Sequence, residues 1–311
     1  MHPALSIVFF TVTAGAGYGL VVVTALVSAG IGGAQLQNGD ILLSAAAGLV
    51  AVTLGLCASS LHLANPKNAW RAFSRFRTSW LSREAVLAVA FYPIALVWFV
   101  SVWLDWGAGV VAVFAFLTMI LALATVFSTA MIYACLRTIP QWHTSLTPAN
   151  YILLSLMIGF LGFSSVLAFG DGASGALLWS TLLSVAVAFI GKLIYYLKFS
   201  APSGPSIATA TGFKHATVRL LDVGHSAGTF LTDEFGFTVF RGALMILRIL
   251  TLILAFVVPA VAVWLVIDGS GLAIVFPIAL VAAYVGLLME RWLFFAEARH
   301  VVNLYHGTQR V

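Results

Sequence analysis

His62 and Glu84 stand at the two edges of one basic loop, each where a long apolar run meets it. An imidazole titrating near neutrality can donate a hydrogen bond to a carbonyl and exchange protons. A carboxyl at about the same depth can pass protons onward. A quinone headgroup needs both groups, beside an apolar slot for its ring and tail. The same residues admit a plainer reading. Glu84 can be a favourable acid in the first turn of a helix capped by Ser82, and His62 an interfacial residue with a backbone partner. Between them, Trp70, Phe73, Phe76 and Trp80 interleave with Arg71, Arg75, Arg77 and Arg83. That pattern is either an interfacial aromatic belt with loop charge or a short amphipathic helix roofing a pocket. His143 lies in a later loop, also near the membrane edge. Glu290 and Arg291 lie inside the last apolar run, as a local charge balance or as part of a proton path.

Other chemistries are disfavoured by the same inventory. Bis-histidine haem needs two imidazoles on facing helices at a bundle axis. None of the seven histidines falls in the middle of an apolar run, so no haem is expected on this chain. Cys57 and Cys135 have no neighbours at metal-ligand spacing, and no metal site is expected either.

The elements that must position these residues are eight apolar runs, at about 5–29, 41–63, 85–104, 109–136, 149–169, 175–197, 244–267 and 272–295. Each has the ~20 residues that an α-helix needs to cross a bilayer. The chain is 62% hydrophobic and 8% charged, too little polar surface for a soluble domain. Its net charge of +5 follows from loop composition and does not indicate nucleic acid as a partner. All fifteen lysines and arginines fall at alternate connections, whereas Asp40, Asp105, Asp171 and Asp268 mark the opposite ones. Basic residues follow cytoplasmic loops. The expectation is an all-α, polytopic bundle of eight transmembrane helices forming one domain, with both termini cytoplasmic. The elaborated loops 64–83, 137–148 and 199–241 then face the cytoplasm, where any protein partner should dock. Glycines in the first run (Gly15, Gly17, Gly19) and small residues in the second (Ala45–Gly48) should let helices pack closely. A secondary transporter is the rival class, but it calls for polar groups and broken helices near the midplane. Only Pro93, Pro259 and Pro277 offer kinks there.

Three motifs carry a family resemblance. Ser60-Leu-His62-Leu, Pro66, Ala69-Trp70, Arg75 and Ser79-Trp-Leu-Ser82-Arg-Glu84 resemble the signature of the membrane anchor subunit of dimethyl-sulfoxide-reductase-type molybdoenzymes. Arg137-Thr-Ile-Pro140-Gln-Trp142 with Thr147-Pro148, and more loosely Glu290-Arg291-Trp-Leu-Phe-Phe295, are similar to it as well. The resemblance implies a three-subunit complex in the bacterial cytoplasmic membrane. A molybdopterin catalytic subunit and a four-cluster Fe–S subunit would sit beside a haem-free anchor that exchanges electrons with ubiquinone or menaquinone. Carried onto matching positions, it makes His62 and Glu84 the quinone-site residues. Leu61, Pro66, Trp70, Arg71, Arg75, Arg77, Trp80 and His143 would line the pocket, with Glu290 and Arg291 on a secondary proton path. The charge map puts the signature loop in the cytoplasm. It therefore points to the cytoplasm-facing sulfite dehydrogenase branch, which reduces quinone, and away from the quinol-oxidising S-oxide reductases.

Overall fold

The structure, a computed structural model, describes residues 2–31, 37–61, 65–169, 174–199, 204–213, 217–222, 227–269, 271–272 and 274–311. His62 lies outside the described residues, as do Asp171, Lys214, His215 and His225. Eight helices are long and apolar enough to cross a membrane. They are α1 (Leu5–Ser28), α2 (Asn38–Ser60), α3 (Trp80–Trp103), α4 (Ala108–Ala134), α5 (Leu146–Leu167), α6 (Gly175–Lys198), the span Gly242–Ile267, and α11 (Val275–Ala296). Two short helices, α7 (Ile207–Thr211) and α8 (Phe230–Phe235), interrupt the connection after α6. The seventh span is composite. It runs through α9 (Arg241–Leu252), a π-helical turn over Ile253–Val257, and α10 (Val258–Ile267). A proline inside a helix lacks its N–H and crowds the carbonyl four residues earlier. The π turn stands directly before Pro259 and absorbs that mismatch.

α1 is the innermost helix, packing against α2, α4, α5 and α11. Its approach to α5 depends on missing side chains: a Cβ on Gly19 would meet the Ser155 backbone, and one on Gly159 would meet Gly19. On the α2 side, a Cβ at Gly48 would come within 2.7 Å of Val21. Gly15 differs from its neighbours, because a Cβ there would point into open space. The expected close packing is therefore present at Gly17, Gly19 and Gly48, and Gly15 serves another purpose.

The described connections meet at one end of the bundle. The His2 amide donates to the Glu234 carbonyl at 3.0 Å, and the Val301 amide to the Thr138 carbonyl at 3.0 Å. The Gly204 amide donates to the Val311 carbonyl at 2.8 Å, beside the isolated bridge Ser206–Arg310. The N- and C-terminal ends, the 137–143 loop and the long 199–241 connection thus share the face that carries the basic loops. The opposite turns, such as Leu104–Gly107, are tight; Asp105 and Gly107 there have positive φ.

Two boundaries differ from the sequence reading where it matters. α3 starts at Trp80, five residues earlier than expected, and Ser79 rather than Ser82 caps it, accepting the Ser82 amide at 3.4 Å. Ser82 is buried in the first turn, where its Oγ accepts the Arg75 amide at 3.2 Å. Glu84 consequently lies in the second turn, not the first. α5 starts at Leu146, so Pro148 falls inside its first turn, where a missing N–H costs nothing.

Candidate functional site

Glu84 points into the bundle and is 6% exposed. Its Oε1 accepts a hydrogen bond of 2.5 Å from Thr129 Oγ1 of α4. Among the described residues, no lysine, arginine or histidine forms an ion pair with it. The carboxyl is thus held by one hydroxyl, in a wall that also includes Tyr18 and Phe91, stacked edge-to-face at 5.0 Å.

The rest of the first motif lies on the surface above. Leu61 is 81% exposed just past the end of α2. Pro66 opens a 3-10 helix, Pro66–Arg75, which packs on α3; its side chain lies outside the described part. Trp70, Arg71, Arg75 and Arg77 are exposed along this stretch, with the Arg71 guanidinium 5.9 Å from the Trp70 ring centroid. The amphipathic roof expected from the sequence is therefore a 3-10 helix, not an α-helix. Trp80 is half-buried between the Phe127 ring and the Arg83 guanidinium, which stacks 4.1 Å from its centroid. Arg83 itself is tied to the loop, donating to the carbonyls of Phe76 and Arg77 at 3.0 and 2.8 Å. His143 goes elsewhere. It is exposed, and its Nδ1 lies 2.7 Å from the Ala134 carbonyl at the end of α4, so its described bond caps that helix and does not reach Glu84.

Glu290 and Arg291 are both buried, in company that sequence reasoning misses. Lys192 of α6 counts with the loop cations in the charge pattern, yet it is 1% exposed and pairs with Glu290 Oε1. Arg291 Nη2 is 3.3 Å from Glu290 Oε2. Aromatic faces replace water around both cations. Arg291 stacks 3.8 Å from the Tyr151 centroid, and Lys192 lies 4.4 and 4.6 Å from those of Tyr195 and Tyr196. The signal was present: an ionisable residue well inside an apolar helix is expensive and needs a partner.

The second and third motifs meet at this cluster. Trp142 stacks on Phe294 with centroids 5.3 Å apart, and its Nε1 donates to the Phe294 carbonyl at 2.9 Å. The Gln141 carbonyl accepts from the Tyr195 hydroxyl at 3.0 Å, and Gln141 Oε1 from the Arg299 amide at 3.2 Å. The 137–142 loop is in this way pinned across α6 and α11, beside the buried ions.

A small cavity separates Glu84's support from the ion cluster. It has a volume of about 30 Å³ and is lined in part by Tyr18, Thr129, Tyr151, Glu290 and Arg291. This space accommodates water and not a quinone ring.

The model of the DMSO reductase anchor subunit (DmsC) family matches residues 1–296. The protein belongs to that family. It is 35% identical over 327 aligned positions to the C subunit of the sulfite dehydrogenase of Allochromatium vinosum, covering 98% of this sequence and 99% of that protein. It is also 26% identical over 163 positions to the anchor-type C component of the anaerobic dimethyl sulfoxide reductase of Escherichia coli K12, covering 51% of this sequence and 54% of the relative. Family membership makes it a multi-pass membrane anchor subunit of an oxidoreductase complex, in agreement with its eight candidate spans. The resemblance drawn from the three motifs is thus borne out.

Proposed function

We propose that this anchor is the haem-free, quinone-reactive subunit of a sulfite-oxidising complex and that it reduces quinone at the edge of α2 and α3. In this reading the basic face is cytoplasmic, in the inner membrane. A four-cluster Fe–S subunit docks over the loop that holds Trp70, Arg71, Arg75 and Arg77, and a molybdopterin subunit oxidises sulfite beyond it. The full-length match to a sulfite dehydrogenase subunit supports this substrate over an S-oxide, whose reductase relative aligns with half of the sequence.

The observation that carries the reading is the contrast between the two buried carboxylates. Glu290 is neutralised by Lys192 and Arg291, whereas Glu84 has a single hydroxyl donor and no cation among the described residues. A structural acid in a low-dielectric wall is paired. One left unpaired beside a loop is suited to exchanging protons with a substrate. His62, by its place in the motif, holds a quinone carbonyl, and Glu84 delivers protons.

The test is turnover of the purified complex. Glu84→Gln and His62→Ala should each slow quinone-coupled sulfite oxidation by about 10²-fold, the scale of a lost acid–base group. Reduction of a soluble dye by the partner subunits should be unchanged. Full quinone-coupled activity in both variants would remove the assignment.

A further inference from the structure

We infer that the cavity between α1, α4, α5 and α11 is a water site through which protons pass between the Lys192–Glu290–Arg291 cluster and Glu84. This rests on the reading of Glu84 as the group that hands protons to quinone. Four polar atoms of the residues lining the cavity, the hydroxyls of Tyr18 and Tyr151, Glu290 Oε2 and Arg291 Nε, make no hydrogen bond with the described residues. Each belongs to a side chain at most 5% exposed. Unsatisfied polar groups this deep are costly, and native interiors satisfy them with ordered water where space allows. About 30 Å³ holds one or two molecules. The occupant chemistry also fits: two tyrosine hydroxyls and an arginine N–H can donate, and a carboxylate oxygen can accept, the tetrahedral set that water completes.

Thr129 is the exit. Its hydroxyl lines the cavity and donates to Glu84 Oε1. A hydroxyl has one proton and two lone pairs, so it can accept from a cavity water while donating to the carboxylate. In one hop Thr129 gives its proton to Glu84 and takes one from water; the water is recharged from the ion cluster. Each hop breaks one O–H bond and forms another, and no electrons move.

Gly15 allows a selective test. It lines the cavity, and a Cβ there meets no atom within 4 Å, so Gly15→Leu should fill the space without displacing backbone. In the purified complex this variant should slow quinone-coupled turnover by about tenfold or more and enlarge the effect of D₂O on the rate. Affinity for a fluorescent quinone analogue and dye-coupled oxidation should be unchanged. Tyr151→Phe, which removes only a hydroxyl, should move turnover and isotope effect in the same direction, and serves if Gly15→Leu does not assemble. A cryo-EM map of the complex should show density for water beside Tyr151 and Glu290. A dry cavity, or normal turnover and isotope effect in the assembled variants while Glu84→Gln is slow, overturns the relay and leaves the quinone reading standing. Normal turnover in Glu84→Gln and in His62→Ala removes that reading itself.

Discussion

Glu84 and Glu290 lie on α3 and α11, each one to two turns from the helix end that meets the basic face, yet their surroundings make them different groups. Removing the donor to Glu84 is a mild change: Thr129→Val should slow quinone-coupled turnover several-fold, and Thr129→Ser, which keeps the hydroxyl, should restore it. The comparison of these two rates is the measurement. Breaking the other site is not mild. Lys192→Met leaves Glu290 with only its looser contact to Arg291. Loss of one partner of a buried pair costs about 3–5 kcal/mol. The extracted complex should melt at clearly lower temperature, whatever its activity. Sequence alone separates neither case. It marks Glu84, Glu290 and Arg291 because charge inside an apolar run is expensive. It places Lys192 with the loops, because a cation near a helix end also satisfies the positive-inside pattern. The aromatic faces of Tyr195 and Tyr196 that bury it belong to a neighbourhood known only once α6 and α11 are seen side by side.

At the scale of elements, all eight spans were legible, since hydropathy alone dictates a helix wherever backbone must satisfy itself in lipid. Their ends were less so. The sequence reading begins α3 after Glu84 because Trp80–Arg83 looks polar and aromatic, yet Ser79 caps the helix and Ser82 ties it back to the Arg75 amide. Ser79→Ala should therefore destabilise this junction by about 1 kcal/mol, read as faster amide exchange over residues 79–84. Outside the bundle, His300 stacks on Phe235 with centroids 4.4 Å apart, and its Nδ1 accepts the Val302 amide at 3.0 Å. Partial burial holds its pKa below the ordinary value of 6.5. The unfolded segment then binds the proton more readily, so this contact contributes stability above that value and loses it as pH falls through the range below it. Amide exchange over residues 230–236 and 300–306 should rise on acidification from neutrality to pH ~5, and His300→Phe should flatten that response.

For the whole molecule, the sequence locates a lopsided protein: spare turns on one side, basic and elaborated connections on the other. Which side faces the cytoplasm is a matter for labelling. A cysteine placed at Ser74 should react with an impermeant reagent only in inverted vesicles, and one placed at Gly107 only in cells or right-side-out vesicles; the reverse pattern would turn the proposed direction of electron flow around. What composition could not reveal is the neighbour map, which makes α1 the axis on which α2, α4, α5 and α11 close. Thr13 of that helix shares a 2.7 Å hydrogen bond with Tyr284, on the last span to be synthesised. The first segment to leave the ribosome therefore waits among lipids for most of translation, its notch at Gly19 vacant until α5 arrives. A polypeptide interrupted after the seventh span would strand Thr13 and the α11-facing side of this axis. Such nascent fragments are what membrane quality-control proteases should meet most often when synthesis of this subunit stalls.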